Sequence, residues 1–204
     1  MGKTQPIQLQ AGNIIIPIYN EEQFCPFVMI LNDMENLQNH KIVAETMARG
    51  IALQPVVTEL ESDKLLMLCR TNKGKIWGSY SYNGGLSWSI LSPTLIHNPN
   101  SAIDLITTNT DELILAFNHS ETNRYSLSVS LSVDKGKSWS FLQDLERGEG
   151  EYSYPCLMED HQGLIHIVYT ESRYRIKHIQ FDLDWLKQGA LKTPMITFET
   201  PPIS

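Results

Sequence analysis

Short segments rich in β-branched and other apolar residues recur along the chain and are separated by turns. Turn-forming Gly, Asn, Asp and Ser residues stand between the segments. Short apolar runs bounded by such turns predict β-strands rather than helices. The pattern therefore predicts an all-β protein, and its clearest strands are Ile14–Ile18, Leu65–Cys69, Leu113–Phe117 and Leu164–Tyr169.

Two copies of the pattern Ser-x-Asp/Asn-x-Gly-x-x-Trp each follow a predicted strand. The Asp or Asn side chain can hydrogen-bond its own backbone in a tight turn, and the Gly can adopt φ > 0. The Trp is then expected to re-enter a strand and bury its ring. The two tryptophans are 51 residues apart, which is close to one β-propeller repeat. The copies consist of Ser81, Asn83, Gly85 and Trp88, and of Ser132, Asp134, Gly136 and Trp139.

This pattern is the Asp box, and from about Pro6 to Leu186 the chain resembles sialidases, including a bacterial and plant group of predicted neuraminidases. The resemblance implies a six-bladed β-propeller whose boxes lie away from the catalytic mouth. The length of 204 residues suits about four blades, so we expect the C-terminal part of such a propeller. The predicted blades are residues 6–45, 52–96, 101–145 and 152–186, followed by a C-terminal tail, 187–204.

Composition narrows the classes of partner and cofactor. The net charge is −7 and no basic run exceeds two residues, so neither nucleic acid nor an anionic membrane is expected as a partner. Neither a signal peptide nor a membrane span is visible, which predicts a cytoplasmic protein unless the chain is a fragment of a secreted precursor. Three widely spaced cysteines favour free thiols over a metal site or disulfides, and no cofactor is expected.

The resemblance also implies a glycosidase mechanism with a Tyr nucleophile. A neutral phenol approaches an acidic sugar without like-charge repulsion, but it needs a Glu to accept its proton. Tyr154 matches the nucleophile best by spacing, and Tyr152 is the rival because positions i and i+2 of a strand share a face. Arg70 and Arg124 match arginines that clamp the sugar carboxylate bidentately. Without the resemblance, the residues alone favour the interpretation of both tyrosines as aromatics that pack between blades and flank a proline.

Several positions depart from the family pattern or extend it. Gln54 stands where the general-base Glu is expected, and an amide cannot accept a proton at neutral pH. Glu21 is a candidate substitute for that base. Asn98 and Asn100 are candidate ligand contacts or simply turn residues, and Arg173 belongs to the similarity with the predicted neuraminidases. The family's first arginine and catalytic Asp would lie in blades N-terminal to this chain.

The predicted function is thus that of a sialidase-like glycoside hydrolase, or a fragment of one, that cleaves terminal acidic sugars. Two alternatives stay open. The first is a catalytically inactive propeller that binds carbohydrate or protein, and the second is a lyase acting on uronate polysaccharides. Open blade edges further predict self-association or a missing N-terminal half that covers them.

Overall fold

The computed structural model describes residues 3–32, 40–44 and 50–198. Within these ranges the chain is all-β apart from one short helix, α1 (Leu183–Lys187), which confirms the predicted fold class at that level. No helix in the described ranges is long and apolar enough to cross a membrane. Residues 33–39 and 45 of the first predicted blade and 199–204 of the predicted tail lie outside the described residues.

The strands form four antiparallel sheets that follow the order of the chain. The first sheet contains β1 (Ile7–Gln8), β2 (Ile14–Asn20), β3 (Cys25–Leu31) and β4 (His40–Ala44). The second contains β5 (Ala52–Glu61), β6 (Lys64–Thr71), β7 (Lys75–Ser81) and β8 (Ser92–His97). The third begins with β9 (Asp104–Thr107), β10 (Leu113–Phe117), β11 (Ser126–Ser132) and β12 (Ser138–Arg147). The fourth contains β13 (Tyr152–Glu159), β14 (Ile165–Glu171) and β15 (Arg175–Phe181).

The predicted tail returns to the third sheet. After α1, strand β16 (Ala190–Ile196) pairs antiparallel with β12 and becomes the outer strand of that sheet. Pro194 is compatible with this place because an edge strand has a side on which no N–H donor is needed. The third sheet therefore has five strands, whereas the fourth sheet has three within the described residues.

Alternation along the strands explains how the sheets stack. In β6, Leu65 and Met67 pack into a cluster with the first sheet, whereas Leu66 and Leu68 pack into a cluster with the third. Successive strand residues point to opposite faces, so one apolar run supplies two cores. Leu157 and Ile167 of the fourth sheet in turn pack against the third. The four sheets therefore pack face to face in the order of the chain.

The two Asp boxes form the same turn but anchor it differently. In each box the Ser hydroxyl accepts the Gly N–H at 2.9 Å. Trp139 is fully buried and its indole N–H donates to Thr197 at 3.0 Å, beside β16. Trp88 is only partly buried and donates back to the Gly85 carbonyl of its own turn at 3.0 Å. The expected burial thus holds in full only for Trp139, which the returning segment around β16 covers.

Candidate functional site

Matching bulges interrupt β5 and β13, the first strands of the second and fourth sheets. The register with the neighbouring strand shifts between Leu53 and Val56 in β5, and between Ser153 and Cys156 in β13. At these bulges Gln54 and Tyr154 adopt left-handed conformations, with φ of 50° and 55°. Such a conformation costs a residue other than Gly about 1–3 kcal/mol and is concentrated at functional sites. Each strained residue is followed by a proline.

The bulge in β13 separates the two candidate nucleophiles. Tyr152 is 8% exposed and packs edge-on against Tyr169, with ring centroids 6.3 Å apart, whereas Tyr154 is 47% exposed. The expectation that both tyrosines share one face is wrong, because the left-handed residue breaks the strand alternation. The Tyr152 hydroxyl lies close to Glu146 inside the protein. Tyr154 is the tyrosine that a ligand can reach.

Arg70 lies at the end of β6, opposite Leu53 and beside the bulge in β5. Its Nη1 donates to Oε1 of Gln54 at 3.1 Å. Burial lowers the pKa of Arg70, the nearby phenol of Tyr154 raises it, and the positive charge of Arg124 lowers it further. The Arg70 Nε–H is buried and finds no hydrogen-bond acceptor among the described residues. The structure thus brings together Arg70, Gln54 and Tyr154, with Arg124 in electrostatic range.

Arg124 and Arg173 converge on one carboxylate. Nη1 of Arg124 lies 3.1 Å and Nε of Arg173 lies 3.0 Å from Oε1 of Glu151. Partial burial raises the pKa of Glu151, but the hydrogen bond from Arg173 and the charges of both arginines outweigh it, so its pKa lies below the ordinary 4.5. A groove of about 330 Å³ runs past this cluster and is lined in part by Pro99 and Tyr125.

The asparagine candidates serve the local turn. Oδ1 of the buried Asn98 accepts the backbone N–H of Ser101, three residues further on, at 2.9 Å. The carbonyl oxygen of Asn100, which has a φ of 54°, accepts Nη2 of Arg124 at 2.9 Å. The turn therefore holds Arg124 through its backbone. Only Oδ1 of Asn98 is thus engaged in shaping the turn, since its buried Nδ2 finds no hydrogen-bond acceptor among the described residues.

Glu21 is the candidate that the structure does not bring to the cluster. It is exposed in the turn between β2 and β3, and among the described residues no hydrogen bond or ion pair joins it to Arg70 or Tyr154. A different residue of the first sheet, Tyr19, is buried and lies within electrostatic range of Arg70.

Two residues of this region were missed from the sequence. Glu151 directly precedes Tyr152, but its role depends on Arg124 and Arg173, which are distant along the chain. Tyr19 lies in the first sheet and meets Arg70 of the second. The sequence offered one signal for Glu151. Arg124 and Arg173 have no acidic neighbour that the sequence identifies as their partner, and a partly buried arginine implies a carboxylate elsewhere in the fold.

Comparisons with known proteins agree with the boxes and the sheets. A family model described as the BNR repeat-like domain matches residues 1–167, and no curated protein sequence matches the chain.

Among solved structures, the chain is similar to a K499G mutant of NanB sialidase from Streptococcus pneumoniae, with a TM-score of 0.76 and 18% identity over 88% of this chain and 30% of that one. It is similar to an intramolecular trans-sialidase from Ruminococcus gnavus, with a TM-score of 0.73 and 22% identity over 89% of this chain and 44% of that one. It is also similar to a leech intramolecular trans-sialidase, with a TM-score of 0.73 and 19% identity over 91% of this chain and 32% of that one.

At these identities the likeness to solved structures shows the fold alone, and the chain spans less than half the length of each of them. The family model, in contrast, matches most of the chain. Together with the two Asp boxes and the four stacked sheets, this match shows that the chain belongs to the BNR repeat-like domain family.

Proposed function

We propose that this chain is a sialidase-like protein that binds a terminal acidic sugar beside Arg70 and Tyr154, and that its class of reaction is glycoside hydrolysis. The four sheets are then blades of a propeller of the six-bladed sialidase type, of which this chain supplies about four. The bulged ends of β5 and β13 form part of the mouth. The similar NanB, leech and Ruminococcus gnavus structures support the class of ligand, since their names describe sialidases and trans-sialidases.

The observation that carries the proposal is the environment of Arg70. Its guanidinium is partly buried, it donates to the neutral amide of Gln54, and its Nε–H has no acceptor among the described residues. A desolvated cation without a negative partner is costly. The carboxylate of an acidic sugar would offset that cost through a bidentate, charge-assisted pair. Arg124, in contrast, is already paired with Glu151.

The chemistry follows from the exposed Tyr154. Attack of its phenol oxygen on the anomeric carbon would break the glycosidic bond and form a covalent glycosyl intermediate, while the phenol proton passes to a base and the departing oxygen takes up a proton. Water would then hydrolyse the intermediate and return the proton to the phenol. The positive charge of Arg70 would stabilise negative charge that develops on the phenol oxygen. Tyr152 stays the rival nucleophile only if the core around Glu146 opens, and Glu21 stays the candidate base only if the turn after β2 moves.

A second candidate, carbohydrate binding without turnover, is favoured by the contact between Gln54 and Arg70. The amide occupies the place next to Arg70 where a proton acceptor would be needed, and it is engaged as a hydrogen-bond acceptor at 3.1 Å. An amide can orient an arginine but cannot take a proton from a phenol.

Calorimetric titration with a sialic acid tests the binding proposal. Arg70→Met should weaken binding by about 2 to 5 kcal/mol, the usual cost of removing one partner of a buried charge pair. Arg175→Met is the matched control, because Arg175 is exposed and paired with Glu171 at 3.1 Å, and it should leave the affinity unchanged. Equal affinities of the wild type and Arg70→Met would refute the proposal.

Turnover of a fluorogenic sialoside separates hydrolysis from binding alone. If the chain hydrolyses the sugar, Tyr154→Phe should abolish turnover and retain binding, whereas Tyr174→Phe, at a residue 89% exposed, should change neither. Binding without turnover in the wild type would establish the second candidate.

A further inference from the structure

The N-terminal segment crosses the first strands of three sheets close to the candidate site. The Lys3 Nζ donates to the carbonyl oxygens of Ile103 and Pro155, each at 2.9 Å. The Thr4 hydroxyl donates to the carbonyl oxygen of Pro55 at 2.7 Å. Pro155 follows Tyr154 and Pro55 follows Gln54. Lys3 therefore binds the backbone carbonyl directly after Tyr154, and the adjacent Thr4 binds the one directly after Gln54.

These carbonyl oxygens lie where the sheets cannot supply donors. Pro55 and Pro155 fall inside the register shifts, so neither has a partner in the neighbouring strand. The strands that carry them, β5 and β13, are edge strands of their sheets. Both prolines are buried, and a buried carbonyl oxygen needs a hydrogen-bond partner. Lys3 and Thr4 supply that partner from outside the sheet.

Asp104 supplies a carboxylate close to the Lys3 side chain. Burial lowers the pKa of Lys3 and outweighs the nearby Asp104 carboxylate, which raises it. Asp104 is 5% exposed, and its Oδ2 accepts the backbone N–H of Leu157 at 2.7 Å. The ammonium thus joins the residue directly before β9 to β13, and the carboxylate joins β9 itself to β13. The charge of Arg70 also acts on Lys3, so this arrangement lies within electrostatic range of the candidate site.

We propose that Lys3 and Thr4 are positioning residues that hold the bulges of β13 and β5, and thereby keep Tyr154 and Gln54 in the left-handed conformation that directs them to the site. Neither residue touches the ligand in this role. The expected effect of Lys3 and Thr4 on sugar binding rests on the proposed function. Their expected effect on the conformation of the two bulges does not. Loss of either donor leaves a buried carbonyl oxygen unpaired, and the bulge relaxes to satisfy it.

Carbonyl chemical shifts test the proposal without a ligand. The chain contains one Pro-Cys pair, Pro155-Cys156, and one Pro-Val pair, Pro55-Val56. Labelling proline with ¹³C at the carbonyl and either cysteine or valine with ¹⁵N therefore yields a single correlated signal for each bulge. Lys3→Met should move the Pro155 carbonyl signal upfield as its hydrogen bond is lost, and Thr4→Val should do the same for Pro55. Lys3→Arg, which keeps the donors, should retain most of the wild-type shift.

A matched control separates this effect from the loss of any lysine. The Lys135 Nζ also donates to a backbone carbonyl oxygen, that of Leu60, at 3.0 Å. Lys135→Met should leave the Pro155 and Pro55 signals unchanged. Because Thr4→Val is nearly isosteric, it keeps the test decisive if Lys3→Met does not fold.

Sugar affinity provides the second readout. If the chain binds a sialic acid, Lys3→Met should weaken binding about tenfold, because the relaxed bulge disturbs the contact between Tyr154 and the Arg70 guanidinium. Lys135→Met should leave the affinity unchanged. An unaltered Pro155 signal in Lys3→Met, or an unaltered Pro55 signal in Thr4→Val, would overturn the positioning role. Shifted signals in a protein whose wild type binds no acidic sugar would support the positioning role and refute the proposed function alone.

Discussion

Replacing Asp134 in the second Asp box should expose how much of the turn depends on a carboxylate. Oδ1 of Asp134 accepts the Ser132 hydroxyl and the Ser138 backbone N–H, each at 2.8 Å, and Oδ2 accepts the Ser138 hydroxyl at 2.6 Å. Partial burial raises the pKa of Asp134, but these hydrogen bonds outweigh it and hold the pKa below 3.8. The ionised form is therefore the one that stabilises the fold.

The expected loss of unfolding free energy follows from the number of these hydrogen bonds and from how exposed they are. A hydrogen bond to a charged group contributes about 1.5–3 kcal/mol when buried. Because Asp134 is only partly buried, the partly exposed Ser138 hydroxyl can turn to water once the carboxylate is removed, whereas the buried Ser132 hydroxyl cannot. We therefore expect Asp134→Ala to lower the free energy of unfolding by about 2–3 kcal/mol at pH 7.

The first box supplies the comparison for Asp134→Asn. There Oδ1 of Asn83 accepts the Ser87 N–H at 2.9 Å, and its Nδ2 donates to the Ser87 hydroxyl at 2.8 Å. An amide can thus complete the same turn with neutral bonds, so Asp134→Asn should cost about 1 kcal/mol at pH 7. The ionised carboxylate of Asp134 stabilises the fold fully above its ordinary pKa of 3.8, and this stabilisation is lost as the pH falls through the lower pKa of the folded state. The cost of Asp134→Asn should therefore shrink as the pH falls below 3.8.

Urea unfolding followed by circular dichroism, at pH 7 and at successively lower pH, measures both effects. Asn83→Ala is the matched control. The free energy of unfolding that this substitution removes should not depend on pH, because an amide does not titrate. If Asp134→Asn costs as much as Asp134→Ala, or if its cost is the same at pH 7 and at about pH 3, the carboxylate does not act as described.

Two further predictions concern packing and a partly buried ion pair. Trp139→Phe should lower the free energy of unfolding by about 2–3 kcal/mol, and Trp88→Phe by about 1 kcal/mol, because only Trp139 is fully buried and bonded to the returning segment; equal losses in urea unfolding would contradict this difference. Burial raises the pKa of Glu146, but hydrogen bonds from Lys177 and Tyr169 outweigh it and lower the pKa below 4.5. The stability difference between the wild type and Glu146→Gln should therefore be present above pH 4.5 and disappear as the pH falls below it, and a difference that persists in acid would count against the pairing.

Much of the fold follows from local sequence. The apolar runs and turn residues predict the strands, and the Asp boxes predict two hairpin turns, because both depend on residues close together in the chain. The return of β16 to β12 was not predictable in the same way. Its pairing joins Ser138 to Ile196, and a short segment containing Pro194 carries no signal that identifies its partner.

The candidate site was harder to predict from the sequence, because it depends on backbone strain and on residues that are distant along the chain. Left-handed conformations are typical of Gly and Asn, so nothing in the types of Gln54 and Tyr154 indicates their bulges. Without the bulge, alternation places Tyr152 and Tyr154 on one face. The arginines were recognisable as candidates. The carboxylate that Arg124 and Arg173 share appears only when the loop before β11, the residue before β13 and the turn between β14 and β15 come together.

The most direct test of the account is a crystal structure of the protein with a bound sialic acid. The account predicts that the sugar carboxylate accepts hydrogen bonds from the Arg70 guanidinium and that the anomeric carbon faces the hydroxyl of Tyr154. A sugar bound elsewhere, with Arg70 still hydrogen-bonded to Gln54 and not to the sugar, would contradict it.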